Sequence, residues 1–254
     1  MTKLLNVSSL FLRFKIAQCV VSLLKIQNPD EEFAELSFQY IYDFAYRPGK
    51  YRNHDTLRPD DVFGLLMDCG ICLESVLPFR GCRTKFHRLG IQDRVRDSYS
   101  KGLMVKLDGY GFVQGDTPSE ILPAVARQLK NGPLIGTIKT NERFMSHEGE
   151  KFLEQPPFVQ QVPLESRSYQ SAKGIFEYRD GEDYCRTWID GVSYNDFHCM
   201  MIYGHHYESG YGHVFRVQNS YGDSWGKGGR GRICGQSFEM DGFYYPVRAS
   251  WSGA

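Results

Sequence analysis

The stretch from Asp196 to Gly229 constrains the chain more than any other. It opens with Asp196-Phe197-His198-Cys199-Met200-Met201-Ile202-Tyr203-Gly204. A hairpin's length later it returns as Phe215-Arg216-Val217-Gln218-Asn219-Ser220-Tyr221-Gly222-Asp223-Ser224-Trp225-Gly226-Lys227-Gly228-Gly229. Side chains alternate along a strand, so His198, Met200 and Ile202 share one face. His198 is expected to face a cleft. The returning strand brings Asn219 beside it. The amide oxygen of Asn219 can accept from one ring N–H, which fixes the tautomer and orientation of the imidazole. Trp225 can keep water from that bond and so strengthen it.

This pattern resembles the His and Asn segments of papain-type cysteine peptidases. There a His opens an apolar strand ending in glycine, and a hairpin leads to Asn-Ser-Trp-Gly, a second Trp-Gly and a glycine pair. Tyr221 stands where that family has its first tryptophan. The resemblance extends through Leu36-Ser37-Phe38-Gln39, the region from Pro59 to Pro78-Phe79-Arg80-Gly81, Thr117 to Ile138, Gly174-Ile175-Phe176 and Phe243-Tyr244-Tyr245-Pro246-Val247. It implies an α+β, two-domain papain-like fold. A helical domain spans 1–112, and an antiparallel β-barrel-like domain spans 113–254, with the last residues crossing back and a cleft between. His198 and Asn219 are then the base and orienter of a Cys-His-Asn triad, with Tyr221 and Trp225 as supporting aromatics. The implied partner is a protein or peptide in the cleft.

The nucleophile does not follow the pattern. Counting back without gaps from Leu36-Ser37-Phe38-Gln39, its position falls on Arg13, expected at the cleft end of the first helix. A guanidinium stays protonated and cannot attack a carbonyl. With gaps, Ser9 or Cys19 becomes the candidate, although Cys19 lies on an apolar helix where a core thiol is the ordinary role. The family's oxyanion glutamine falls on Val7 or Lys3, and its substrate-strip glycines fall near His54-Asp55-Thr56-Leu57. One missing oxyanion donor alone costs about 3 kcal/mol of transition-state stabilisation. The expectation is therefore a papain-type chain that binds a protein or peptide without cleaving it. The rival expectation is an active endopeptidase using Ser9 or Cys19 with His198 and Asn219.

The remaining elements follow from local pattern. Ile16, Val20, Leu23 and Leu24 form one helical face that Asn28-Pro29-Asp30 ends. A second helix starts after Pro59 and stops at Gly70. Residues 80–102 read as a charged surface loop. Thr117, Pro118 and Glu120 predict a third helix with a capping box, ending at Asn131-Gly132 and followed by a strand through Ile138. Residues 141–172 read as an inserted loop, and the chain beyond Gly174 reads as β.

Charge and cysteines narrow the class further. Thirty basic and thirty acidic residues balance to a formal net charge of +0, so nothing draws the chain to nucleic acid or an anionic membrane. Met1–Leu12 is apolar, but Arg13 and Lys15 cut the stretch short and no small-residue cleavage site follows. A cytoplasmic chain is expected, whereas the resemblance implies a secreted or vacuolar/lysosomal one. Of seven cysteines, Cys69 and Cys72 form a pair at CxxC spacing that lacks a second pair for zinc. His198 and Cys199 point to opposite strand faces, and His205 and His206 are expected at a hairpin tip, so no metal site is predicted. Gly226-Lys227-Gly228-Gly229 lacks the strand-before, helix-after context of a phosphate loop, and no cofactor is expected. Cys185 and Cys234 resemble the ends of a family disulfide.

Overall fold

The computed structural model describes residues 2–44, 59–80, 91–147, 175–178, 185–189, 192–195, 197–240 and 242–252. Side chains are described within these ranges except at 2–11, 13, 91–92, 186–189 and 192–195. The helices are α1 (Thr2–Gln27), α2 (Phe38–Phe44), α3 (Pro59–Asp68), α4 (Ile91–Ser100), α5 (Pro118–Gln128) and α6 (Glu142–Met145). The strands are β1 (Ile71–Cys72), β2 (Met104–Phe112), β3 (Leu134–Lys139), β4 (Ile175–Phe176), β5 (Arg186–Ile189), β6 (Val192–Asn195), β7 (Phe197–Glu208), β8 (Gly212–Gln218), β9 (Arg230–Cys234) and β10 (Tyr244–Trp251).

Two compact units divide these elements. The first holds Met1–Phe112, Gly132–Ile135 and Tyr244–Ala254, so a short internal piece and the C-terminal strand join the helical half. Helix α1 buries Ile16, Val20, Leu23 and Leu24 as one stripe, the amphipathic arrangement its spacing predicts. It contacts α2, α3 and β10, and Gln27 Oε1 accepts from the Ala249 N–H at 3.2 Å. Ser37 starts α2: its hydroxyl accepts from the Tyr40 N–H at 3.0 Å and donates to the Leu77 carbonyl at 2.5 Å. Pro59 opens α3, and Gly70 ends the turn beyond it with a φ of +73°. Strand β2 pairs antiparallel with both β1 and β10.

The second unit holds Val113–Asn131 and Gly136–Phe243. Strand β8 pairs antiparallel with β7 and β9, while β4 runs parallel to β9. The sheet is thus mixed rather than purely antiparallel. Its core includes Ile138, Phe144, Met200, Ile202, Phe215, Val217, Ile233, Phe238 and Phe243, all buried.

Three local expectations need correction. The stretch 80–102 contains helix α4, which shows no apolar stripe because only Ser98 of its described side chains is buried. Its support is exposed charge spacing: Lys101 Nζ lies 2.7 Å from Asp97 Oδ2 at i,i+4, a few tenths of a kcal/mol. The capping box on α5 does not form. Thr117 makes no side-chain cap bond, and Glu120 Oε2 instead accepts from the Asp116 N–H at 2.9 Å. The expected loop from 141 contains α6, whose start is capped by Asn141 Oδ1 accepting from the Phe144 N–H at 2.7 Å. Residues 148–172 of that stretch lie outside the described residues.

Helix α1 also carries a cost. Lys15 is fully buried, with Nζ donating to Gln18 Oε1 at 2.9 Å and lying 5.1 Å from the Phe14 ring centroid. Burial lowers its pKa from 10.5 to about 8. A lysine that binds its proton less tightly when folded destabilises the fold, and below its folded pKa the cost is on the order of 3 kcal/mol. The cost fades as pH rises from 8 towards 10.5. Lys15→Met is expected to raise the urea midpoint at pH 7, with the gain shrinking by pH 10. An unchanged midpoint would contradict a buried charge here.

Candidate functional site

His198 lies near the start of β7 and Asn219 just past the end of β8. The rung Met201↔Gln218 sets the register that carries both to one end of the hairpin. His198 Nε2 lies 2.6 Å from Asn219 Oδ1, with His198 1% and Asn219 4% exposed. The tautomer follows from the neighbour. The Ser220 backbone N–H also donates to Asn219 Oδ1, at 2.7 Å. That contact identifies the atom as the amide oxygen, which only accepts. Nε2 therefore carries the proton, and in the neutral ring Nδ1 is the basic nitrogen.

Aromatic rings enclose the pair. Tyr221 lies nearest, its ring centroid 4.5 Å from that of His198, and Phe144 stands 5.9 Å away. Trp225 reaches the surround of the pair through Phe144. It packs 5.5 Å from Phe144 and 5.3 Å from His147, and its indole N–H donates to the Phe144 carbonyl at 2.7 Å. The turn beyond it depends on Gly226, whose φ is +59° and where a Cβ would stand 2.0 Å from the Arg230 carbonyl oxygen.

The nucleophile candidates fare differently. Ser9 and Arg13 both belong to α1, and their side chains lie outside the described set. Cys19 is fully buried in the first unit. Its thiol donates to the Pro133 carbonyl at 3.3 Å, and burial pushes its pKa up. A thiol held protonated in an apolar setting is a poor nucleophile. Segment 54–57, near which the resemblance places the substrate strip, falls outside the described residues.

Other sequence expectations meet corrections. His205 and His206 are not at a hairpin tip: they pair with Phe215 and Val214 within the β7–β8 ladder. His205 Nε2 and His213 Nδ1 stand 2.9 Å apart, a contact between facing strands that spacing alone did not reveal. Among the described residues no group of three or more metal-ligating side chains converges. Cys185 and Cys234 form no disulfide. The Cys234 thiol donates to the Tyr211 carbonyl at 3.3 Å, and burial raises its pKa to about 11. No helix among the described residues is long and apolar enough to cross a membrane. His147, which no sequence motif marked, is 2% exposed against Trp225 and Phe176.

Solved structures share this fold. A cysteine protease from Carica candamarcensis, in complex with E-64, matches with a TM-score of 0.60 at 20% identity, over 94% of this chain and 88% of that one. The digestive procathepsin L2 proteinase of Tenebrio molitor larval midgut matches with a TM-score of 0.62 at 18% identity, over 95% of this chain and 62% of that one. The ragweed pollen cysteine protease Amb a 11, in its proform, matches with a TM-score of 0.58 at 16% identity, over 94% of this chain and 59% of that one. The fold is that of papain-like cysteine proteases. No protein-family model and no curated protein matches the sequence.

Two measurements check this geometry. Asn219→Ala strands a buried imidazole N–H and is expected to cost about 1–3 kcal/mol in urea unfolding; a loss near zero would contradict the pair. In native protein at pH 8, Cys19 is expected to stay unmodified by iodoacetamide and to react on unfolding. Mass-mapped labelling of Cys19 in the folded state would contradict its burial.

Proposed function

We propose that this chain is a papain-fold protein that binds a peptide or protein segment at the His198–Asn219 site without cleaving it. One contrast carries the reading. The base and its orienter stand in bonding geometry, while the thiol that sequence offers as nucleophile, Cys19, is sealed in helix packing and held protonated. The gap-free nucleophile position is Arg13, whose guanidinium has no lone pair to attack with. Acyl transfer needs a thiol or hydroxyl that the base can activate, and neither the buried Cys19 thiol nor an arginine at position 13 supplies one. The site then retains the buried, oriented imidazole and the Tyr221 ring as recognition elements. The substrate class of the relatives, polypeptide, is the natural ligand class for such a site.

The test is intact-mass analysis after exposure to an epoxide-type inhibitor of papain-like enzymes, beside a fluorogenic peptide assay. The same peptide is titrated while the imidazole signals of His198 are followed by NMR. The expected result is no adduct and no turnover, with His198 signals that shift on peptide addition. Turnover abolished by Ser9→Ala or Cys19→Ala would make this a working peptidase. An unshifted His198 would remove the binding reading.

A further inference from the structure

We propose that His147 is a positioning residue for the His198–Asn219 pair and makes that pair responsive to acid. The inference concerns regulation of the site described above, and rests on the preceding reading only in taking that pair as the working centre.

The route from His147 to the pair is short and runs within the second unit. The end of α6 holds the Trp225–Gly226 turn by two backbone carbonyls. Phe144 O accepts the Trp225 indole N–H, and His147 O accepts the Gly226 N–H, both at 2.7 Å. Phe144 also contacts the site itself, 5.9 Å from His198 and 6.0 Å from Tyr221 between ring centroids. A shift of His147 therefore moves the residues that carry Trp225 and Phe144. The hold is short: α6 spans four residues, with Asn141 as its cap.

His147 is built to stay neutral. Its ring lies between Phe176, edge-on at 5.7 Å, and Trp225 at 5.3 Å, and its Nε2 is buried without a hydrogen-bond partner among the described residues. Among the described residues, the charged group acting on it is a cation. Its own helix presents Arg143, whose guanidinium sits over the Phe176 ring at 4.7 Å and donates to the Glu177 carbonyl. Strand β4 presents the Phe176 ring, the turn after β8 presents the Trp225 ring, and strand β9 presents Gly231. Burial first, and Arg143 second, lower the His147 pKa from 6.5 to about 4. The sign follows directly. A histidine that binds its proton less tightly when packed leaves the closed turn at full stability above pH 6.5. That stability is lost progressively as pH falls from 6.5 to about 4, because protonation puts a second cation beside Arg143 in a buried setting. The turn then releases Trp225 and loosens Phe144 from His198.

The Trp225 indole N–H reports this by 1H–15N NMR, assigned by its loss in Trp225→Phe. Spectra are recorded from pH 7 down to pH 4 for the native sequence, His147→Phe and His147→Gln. Phenylalanine keeps the ring and glutamine keeps a polar group, and neither titrates, so either variant that folds suffices. The expected result is a shift or accelerated exchange of the indole signal below pH 6.5 in the native protein, absent from the variant. An equal response in native and variant proteins, or none in the native protein, overturns the proposal. The readout needs no peptide. Failure of peptide binding with the titration intact defeats the binding reading alone, and an absent titration with peptide binding intact at pH 7 defeats this inference alone.

Discussion

The hydrogen bond between His198 and Asn219 is the constraint around which the second unit is arranged. It joins two side chains that burial would otherwise penalise, since an imidazole N–H or an amide left unpaired away from water costs about 1–3 kcal/mol. Each neighbour serves it. The β7–β8 ladder delivers both residues to one end of the hairpin. The Asn219 N–H donates to the Gly229 carbonyl at 2.8 Å, which ties the strand end to the glycine turn. Ser220 fixes which amide atom faces the ring. Tyr221 and Phe144 supply the apolar surround that lowers the local dielectric and strengthens the bond.

The first unit follows a different logic. Its stability comes from apolar stripes on α1 and α3 against β2 and β10, and Cys19 belongs to that packing. Lys15 is the exception, a cation held in the same layer by one glutamine and one ring. The chemistry of the chain is therefore lopsided. The His198 imidazole is held in a buried hydrogen-bonded pair in the second unit, while the Cys19 thiol is a core side chain of the first. Shared fold at 16–20% identity with solved cysteine proteases is compatible with that split. Packing tolerates many sequences, whereas acyl transfer tolerates few nucleophiles.

Much of this was legible from residues alone, for physical reasons. The stripe Ile16, Val20, Leu23, Leu24 and the stop at Gly70 are set by periodicity and backbone sterics, which sequence displays directly. The pairing of His198 with Asn219 followed from the resemblance of their two segments to papain-type peptidases, with strand alternation placing His198 on one face. Helix α4 was missed because its described side chains are nearly all exposed, leaving only charge spacing as a signal. The carboxylate of Glu120 was assigned to a capping box because the motif cannot say which N–H it reaches; it chose Asp116. His147 was invisible for a deeper reason. Its importance lies in a backbone carbonyl that holds Gly226 and in the rings around it, and neither is written in a motif. The His205–His213 contact likewise depends on a β7–β8 register that the residues between the strands do not announce.

The most direct test of the account is the protonation pattern of the His198 ring, read by long-range 1H–15N imidazole spectroscopy at pH 7 on the native chain. The expected result is a proton on Nε2, tied to Asn219. An Nε2 that carries no proton, or an Nε2 signal unaffected by Asn219→Ala, would contradict the pairing from which both the proposed function and its acid response are drawn.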